Sequence, residues 1–382
     1  MQKYSSMPTY DFDRYIDRHG TSAAKWIKYS NDILPFWVAD MDFAVPDFVL
    51  NAIRDRVDHG ILGYSRTPPA LDEAFLGWLR REYGWQVPEQ WLAWIPGVVP
   101  GLNLAALACA TPGGAILMNT PVYYPFLSVP ETARQTAIHA PLVLDGGRWA
   151  IDFERMASLV TPETNLLLAC NPQNPTGRAY TTSELEQLAT FVLEHDLVIC
   201  SDEIHSSIVI EEHCSHTPIV ALVPELEPRS VSLYAASKSY NVPGLSCAVA
   251  VIPNAGLRRR FQQARAGLVG GISPLAYAAA QAAFADEGPY LSELCTYLRA
   301  NHDALKTVVG NRMTNVEATY LAWIDVRDLG LENPEAYFTG HGLGLSIGEQ
   351  FAGPGFIRFN FACPRITLDT GLERLERALR GA

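Results

Sequence analysis

Positive charge is in short supply in this chain: 29 Lys and Arg stand against 41 Asp and Glu over 382 residues, a formal charge of −12. That balance excludes a generally basic nucleic-acid binder. No uninterrupted apolar run approaches the roughly 18 residues of a membrane span, and the opening MQKYSSMPTYDFDRYIDR is polar, without the apolar centre of a signal peptide. The expectation is a cytoplasmic protein with neither nucleic acid nor membrane as partner. The seven cysteines, Cys109, Cys170, Cys200, Cys214, Cys247, Cys295 and Cys363, form no CxxC pair, and an odd number cannot pair completely within one chain. Reduced thiols are expected, most of them serving as small hydrophobes in contexts such as LLLAC and LVIC. Internal repeats and low-complexity linkers are also missing, so domain boundaries must be sought in pattern.

Hydrophobic residues make up 48% and charged residues 18%, a globular composition with enough apolar surface for a large core. From about residue 95, short β-rich runs (GGAILMN, NLLLACN, LVICSDE, SVSLYAASK, SCAVAVIP) alternate with helical text such as TTSELEQLATFVLEHD. This alternation predicts an α/β arrangement with a mostly parallel sheet covered on both faces. A capping box, with Thr182 or Ser183 as the cap, predicts a helix starting after residue 181. The last third changes character: helical text at 275–309, strand-like TYLAWIDV and FIRFNFA, then a final helix near 367–380. A smaller α+β unit is expected there, joined by the N-terminal 45 residues.

Three segments end apolar strands with polar residues that no core requires: NPQNPTG at 171–177, SDEIH at 201–205 and SKSYNVPG at 237–244. In parallel sheets ligands gather at the carboxyl ends of strands, so Asn174, Asp202, His205 and Lys238 are expected around one crevice. Each alone reads as a cap, a turn or a solvated strand end. The trio His213, Cys214 and His216 has a superficial metal-ligand look but lacks a fourth ligand at matching spacing, so no metal is expected.

The ordered set GVVPGL, TPVYYPF, NPQNPTG, SDEIH, SKSYNVPG and FIRFN, spanning 97–360, resembles the fold-type I pyridoxal phosphate enzymes of the aspartate aminotransferase superfamily. PFWVADMDF at 35–43, GYSR at 63–66, EATYLAWID at 317–325 and FIRFNFACPR at 356–365 are similar to the MalY/PatB group of cystathionine β-lyase-like enzymes. The resemblance covers nearly the whole chain. It implies a large pyridoxal phosphate-binding domain at 46–280 around a mostly parallel seven-stranded sheet, and a smaller α+β domain from 1–45 and 281–382.

The resemblance also implies roles. Lys238 matches the lysine that links to the cofactor, and a lysine in a desolvated site loses its proton readily enough to act as nucleophile and base. Asp202 matches the carboxylate that keeps the pyridine nitrogen protonated. Asn174 and His205 resemble the pair that hydrogen-bonds the ring hydroxyl, with His205 standing where the superfamily more often has Tyr, and Tyr123 resembles the aromatic stacked on the ring. Phosphate contacts are expected from the amides of Val98 and Val99 at a helix start, from the Ser237 hydroxyl, and from Tyr64 of a neighbouring subunit in a homodimer. One departure is Ser246, which occupies the position eight after the lysine where many aminotransferases carry Arg. Arg358 matches the arginine that clamps the substrate carboxylate, and the backbone at Val38 and Ala39 resembles the loop closing over it. These residues serve both transamination and β-elimination. The MalY/PatB likeness favours a carbon–sulfur β-lyase acting on L-cystathionine, L-cystine or other cysteine S-conjugates. Aminotransferase activity, or a cofactor-bound regulatory protein with secondary lyase activity, are the alternatives.

Overall fold

The structure, a computed structural model, describes residues 9–381. Residues 1–8, the start of the segment expected to join the smaller unit, lie outside it. Seven strands build the main sheet: β1 (Leu92–Ile95), β2 (Ala115–Thr120), β3 (Thr136–Pro141), β4 (Thr164–Cys170), β5 (Val198–Asp202), β6 (Ser230–Tyr234) and β7 (Ala248–Val251), in the order β1-β7-β6-β5-β4-β2-β3. Neighbours are parallel except that β7 runs antiparallel to both β1 and β6.

The apolar runs that read as strands are buried on both faces, and alternate residues feed separate cores. Ile116, Met118, Leu166, Leu168, Val231 and Leu233 pack on one side with the helices Val98–Cys109 and Ala255–Arg265. Leu117, Leu167, Ile199 and Val249 face a larger cluster on the other side, which runs on into the C-terminal elements. The helix Val98–Cys109 lies so close to the sheet that a Cβ on Gly101 would sit 2.5 Å from Ile95 Cδ1 and 2.9 Å from Leu233 Cδ2. A side chain there would force the ends of both buried side chains to move, so glycine lets the helix sit this close without repacking.

The helix Thr182–Glu194 is capped by Thr181, one residue before the expected Thr182 or Ser183. Thr181 is still extended (φ −69°, ψ 161°), its hydroxyl accepts from the Glu184 amide, and Glu184 closes the box by accepting from the Thr181 amide. Beyond residue 285 the chain forms the helix Tyr290–Val309, a three-stranded antiparallel sheet of β8 (Leu321–Asp325), β9 (Ser346–Ile347) and β10 (Phe356–Asn360) in the order β8-β10-β9, and the helix Arg365–Arg380. Leu34–Pro35 pairs in parallel with Leu343–Gly344, which ties the N-terminal segment to this part of the molecule. Among the described residues no helix is long and apolar enough to cross a membrane.

Candidate active site

The carboxyl ends of β1, β2, β4, β5 and β6 share one edge of the sheet, and the reversed direction of β7 brings its first residues to that edge too. A cavity of about 240 Å³ opens there. It is lined by Val98 and Val99 after β1, Tyr123 after β2, Asn174 after β4, Asp202 and His205 at and after β5, and Ser237 and Lys238 after β6. Ala39, from the N-terminal segment, closes one side. Ser246, expected to stand where many aminotransferases carry the phosphate-binding Arg, lines it too, as do Cys170 and Cys247, which the motifs gave no reason to place there. Ser246 and Cys247 arrive through the antiparallel return of β7, for which the local sequence carries no signal.

Electrostatics in the cavity follow from burial. The Asp202 carboxyl is pushed up to about 7, first by desolvation, with the Ile204 amide donating to Oδ1 at 3.1 Å and the Lys238 charge opposing the rise. Lys238 is brought down to about 8 by desolvation and then by Arg358, while Asp40 and Asp202 pull the other way. The Lys238 ammonium donates to the Ala39 carbonyl at 2.6 Å. Burial, and then the charges of Lys238 and Arg358, hold His205 well below its ordinary range, so its imidazole is neutral. Its Nδ1 is buried without a hydrogen-bond partner.

Arg358, on β10, is fully buried beside the cavity, and burial lowers it to about 10. Its Nη1 donates to Asn174 Oδ1 at 2.9 Å and its Nη2 to the Trp37 carbonyl at 2.7 Å, while Nε has no partner. The guanidinium lies 4.6 Å from the centre of the Phe351 ring. Because Asn174 Oδ1 is engaged by Arg358, the asparagine has its amide N–H groups to offer to the cavity.

Residues 37–43 form a strap across the site. The Trp37 carbonyl accepts from Arg358, those of Val38 and Asp40 from Asn360 Nδ2 (2.5 and 2.7 Å), and that of Ala39 from Lys238 and Tyr320. Asn241 holds Met41 and Phe43. Arg18 and the fully buried Lys25 pair with Asp40 and Asp42. The Asn174 loop is anchored separately. The buried Glu317 carboxylate accepts from Arg178 Nε at 2.9 Å and from the Ala179 amide at 3.0 Å, and the amides of Glu317 and Ala318 donate to the Gly177 carbonyl. Trp37, Tyr320 and Asn360 were not anticipated as site residues, although PFWVADMDF, EATYLAWID and FIRFN contain them.

Tyr64 is not brought to this cavity; its side chain is fully exposed, on an irregular stretch between the helices Asp47–Asp58 and Pro69–Tyr83. His216 is buried, its Nε2 2.9 Å from Glu203 Oε2, while His213 is exposed and Cys214 half-buried. Among the described residues no three His, Cys, Asp or Glu side chains converge as a metal site.

Residues 31–375 match the family described as aminotransferase class I and II. The chain belongs to that aminotransferase class I and II family. Among its relatives is cystathionine β-lyase PatB of Bacillus subtilis, 35% identical over 97% of this chain and 100% of that protein. The crystal structure of OvoB superposes with a TM-score of 0.94 at 40% identity, covering 98% of this chain and 100% of the other. The pyridoxal phosphate-bound C–S lyase of Staphylococcus hominis superposes with a TM-score of 0.91 at 31% identity over 97% of this chain and 99% of that one. This member of the aminotransferase class I and II family has Ser246 eight positions after Lys238, exposed, in the left-handed region (φ +57°) and lining the same cavity as Val98 and Val99.

Proposed function

We propose that this chain is a pyridoxal phosphate-dependent carbon–sulfur β-lyase that cleaves L-cystathionine or related cysteine S-conjugates to a thiol, pyruvate and ammonia. The observation that carries the reading is one cavity holding a lysine of lowered pKa, a desolvated carboxylate and a helix N-terminus, in a chain 35% identical to a cystathionine β-lyase over nearly its full length.

The residues present fit the cofactor. Asp202 is a buried carboxylate with one backbone donor, an environment that a protonated ring nitrogen satisfies by a charge-assisted hydrogen bond. The unpartnered His205 Nδ1 and the free Asn174 amide suit an oxygen substituent on the ring. Tyr123 offers a flat face. The amides of Val98 and Val99 at a helix start, with the Ser237 hydroxyl, suit a phosphate. Bound there, pyridoxal phosphate supplies an electron sink that makes the substrate's Cα proton acidic.

The protein's own groups do the rest. Lys238, brought down to about 8, has enough neutral amine near neutrality to take the Cα proton and hold it. Arg358 binds the substrate carboxylate through N–H groups that include the unpartnered Nε, under the strap at Val38 and Ala39. The Cβ–S bond then breaks with its electron pair going to sulfur, which leaves as a thiolate whose conjugate acid has a pKa of about 8.5. The assembly is a homodimer in which Tyr64 of the second copy completes the phosphate site. Support comes from Ile61, Leu62, Tyr64 and Leu268, large apolar side chains more than half exposed, and from the absence of an arginine at position 246.

Purified protein supplied with pyridoxal phosphate and L-cystathionine is expected to release pyruvate, ammonia and thiol in equal amounts without a keto acid. Lys238→Ala is expected to abolish that release. Turnover that requires a keto-acid acceptor would instead make the protein an aminotransferase.

A further inference from the structure

Tyr320 has no part in the chemistry described so far, yet it is fully buried beside the cavity with its hydroxyl donating to the Ala39 carbonyl at 3.0 Å. The same oxygen accepts from the Lys238 ammonium at 2.6 Å. Two donors therefore share one carbonyl. The ring of Tyr320 also stands edge-on to that of His205, with centroids 5.8 Å apart.

The backbone makes this placement deliberate. Thr319 adopts φ +74°, a conformation that β-branched residues avoid, and it is fully buried. Its amide donates to the Ile208 carbonyl at 2.8 Å and its hydroxyl accepts from the Leu321 amide at 3.1 Å, so the strained residue is held from both sides. Two residues earlier, Glu317 is clamped to the Gly177–Ala179 turn. The segment thus delivers the Tyr320 hydroxyl to the strap at the cost of an unfavourable dihedral.

We propose that Tyr320 is a positioning residue that acts on Lys238 through the Ala39 carbonyl, moderating that oxygen's hold on the ammonium form and so keeping the amine available. An acceptor already engaged by one donor binds a second less strongly, whereas a buried carbonyl with a vacant lone pair binds the remaining donor more strongly. Asn360 secures the carbonyls on either side of Ala39, so loss of the Tyr320 hydroxyl leaves the strap in place and changes the pull on Lys238 alone. The other charged or titratable groups around Lys238 are Asp202 from β5, His205 from the turn after it, Tyr123 after β2, Arg358 from β10 and Asp40 from the strap, with the thiols of Cys170 and Cys247 lining the same cavity. Tyr320→Phe removes none of these groups and keeps the ring that stands against His205.

This inference rests on Lys238 being the cofactor-linking residue, and the test separates the two. Protein stripped of cofactor is mixed with pyridoxal phosphate, and the rate of uptake is followed by visible absorbance as a function of pH, each variant being compared with wild type so that titration of the cofactor itself cancels. The midpoint for Tyr320→Phe is expected to rise by about 0.3 to 0.5 pH unit, equivalent to about two- to threefold less neutral amine near neutrality. Turnover is expected to fall by a similar factor with KM nearly constant. Tyr320→Leu, which also lacks the hydroxyl, should move the midpoint in the same sense. Tyr290→Phe, at a buried hydroxyl that has no partner, should leave it in place. A midpoint within 0.1 unit of wild type for Tyr320→Phe, or a loss of thermal stability without a midpoint shift, overturns the inference. Failure of wild-type protein to take up pyridoxal phosphate, or uptake undiminished in Lys238→Ala, overturns the reading beneath it.

Discussion

Burial drives Asp202 and Lys238 in opposite senses, and both shifts bear on stability as well as on catalysis. The carboxyl of Asp202, raised to about 7 from roughly 3.9 in an unfolded chain, favours folding while protonated. Its contribution is complete below about pH 4 and is lost as pH rises through 7. Lys238, lowered to about 8 from roughly 10.4, opposes folding while charged, and that cost is relieved only as pH rises from about 8 towards 10.4. Cofactor-free Asp202→Asn, which removes the buried charge, is therefore expected to melt at a higher temperature than cofactor-free wild type near pH 8, with a smaller difference near pH 5, and to have no lyase turnover. Calorimetry at the two pH values checks it; equal melting temperatures at pH 8 would show that Asp202 is not strained by desolvation. Arg358→Lys retains charge but loses the planar fork that meets Asn174, Trp37 and a substrate carboxylate together. A fall in kcat/KM of about 10- to 100-fold, carried mostly by KM, is expected in steady-state kinetics.

Among the elements, the helix Thr182–Glu194 shows how far local reading extends. Its existence and length were legible from a polar cap before an apolar-periodic run, but TTS offers three adjacent hydroxyls and composition cannot choose among them. The choice falls on Thr181 because Thr181 itself is still extended, next to Tyr180 whose amide donates to Asn171 Oδ1 at 3.0 Å. Thr181→Ala is expected to cost about 1 kcal/mol, read as a lower urea midpoint at unchanged slope, with activity preserved. The strand-end motifs were readable for a similar reason: buried parallel strands are continuous apolar runs, so the polar residues that end them stand out. β7 was readable as a strand but not in its direction. Its antiparallel course, which carries Ser246 and Cys247 to the cavity, depends on pairing with β1 and β6, more than a hundred and about fifteen residues away in sequence.

For the molecule as a whole, the exposed apolar side chains Ile61, Leu62 and Tyr64 lie on a stretch tethered by Thr67, whose hydroxyl donates to that of Tyr277 at 3.4 Å. If a second copy covers them, Ile61→Asp together with Leu62→Asp should shift the protein from dimer to monomer in sedimentation velocity and weaken cofactor retention, because the phosphate site loses the neighbouring Tyr64. A monomeric wild type would refute the assembly. By itself the sequence determined the class of fold, the order of the motifs and the residue types available for chemistry, because periodicity, strand-end polarity and caps are properties of neighbouring residues. Only the tertiary structure decided which of those groups face one another. The strap that places the Trp37 and Ala39 carbonyls on Arg358 and Lys238, the Tyr320 hydroxyl behind it and the Glu317 clamp on the Asn174 loop join residues more than a hundred positions apart. Such contacts arise when separate apolar faces are buried together, and a local stretch of sequence bears no mark of the partner it will meet.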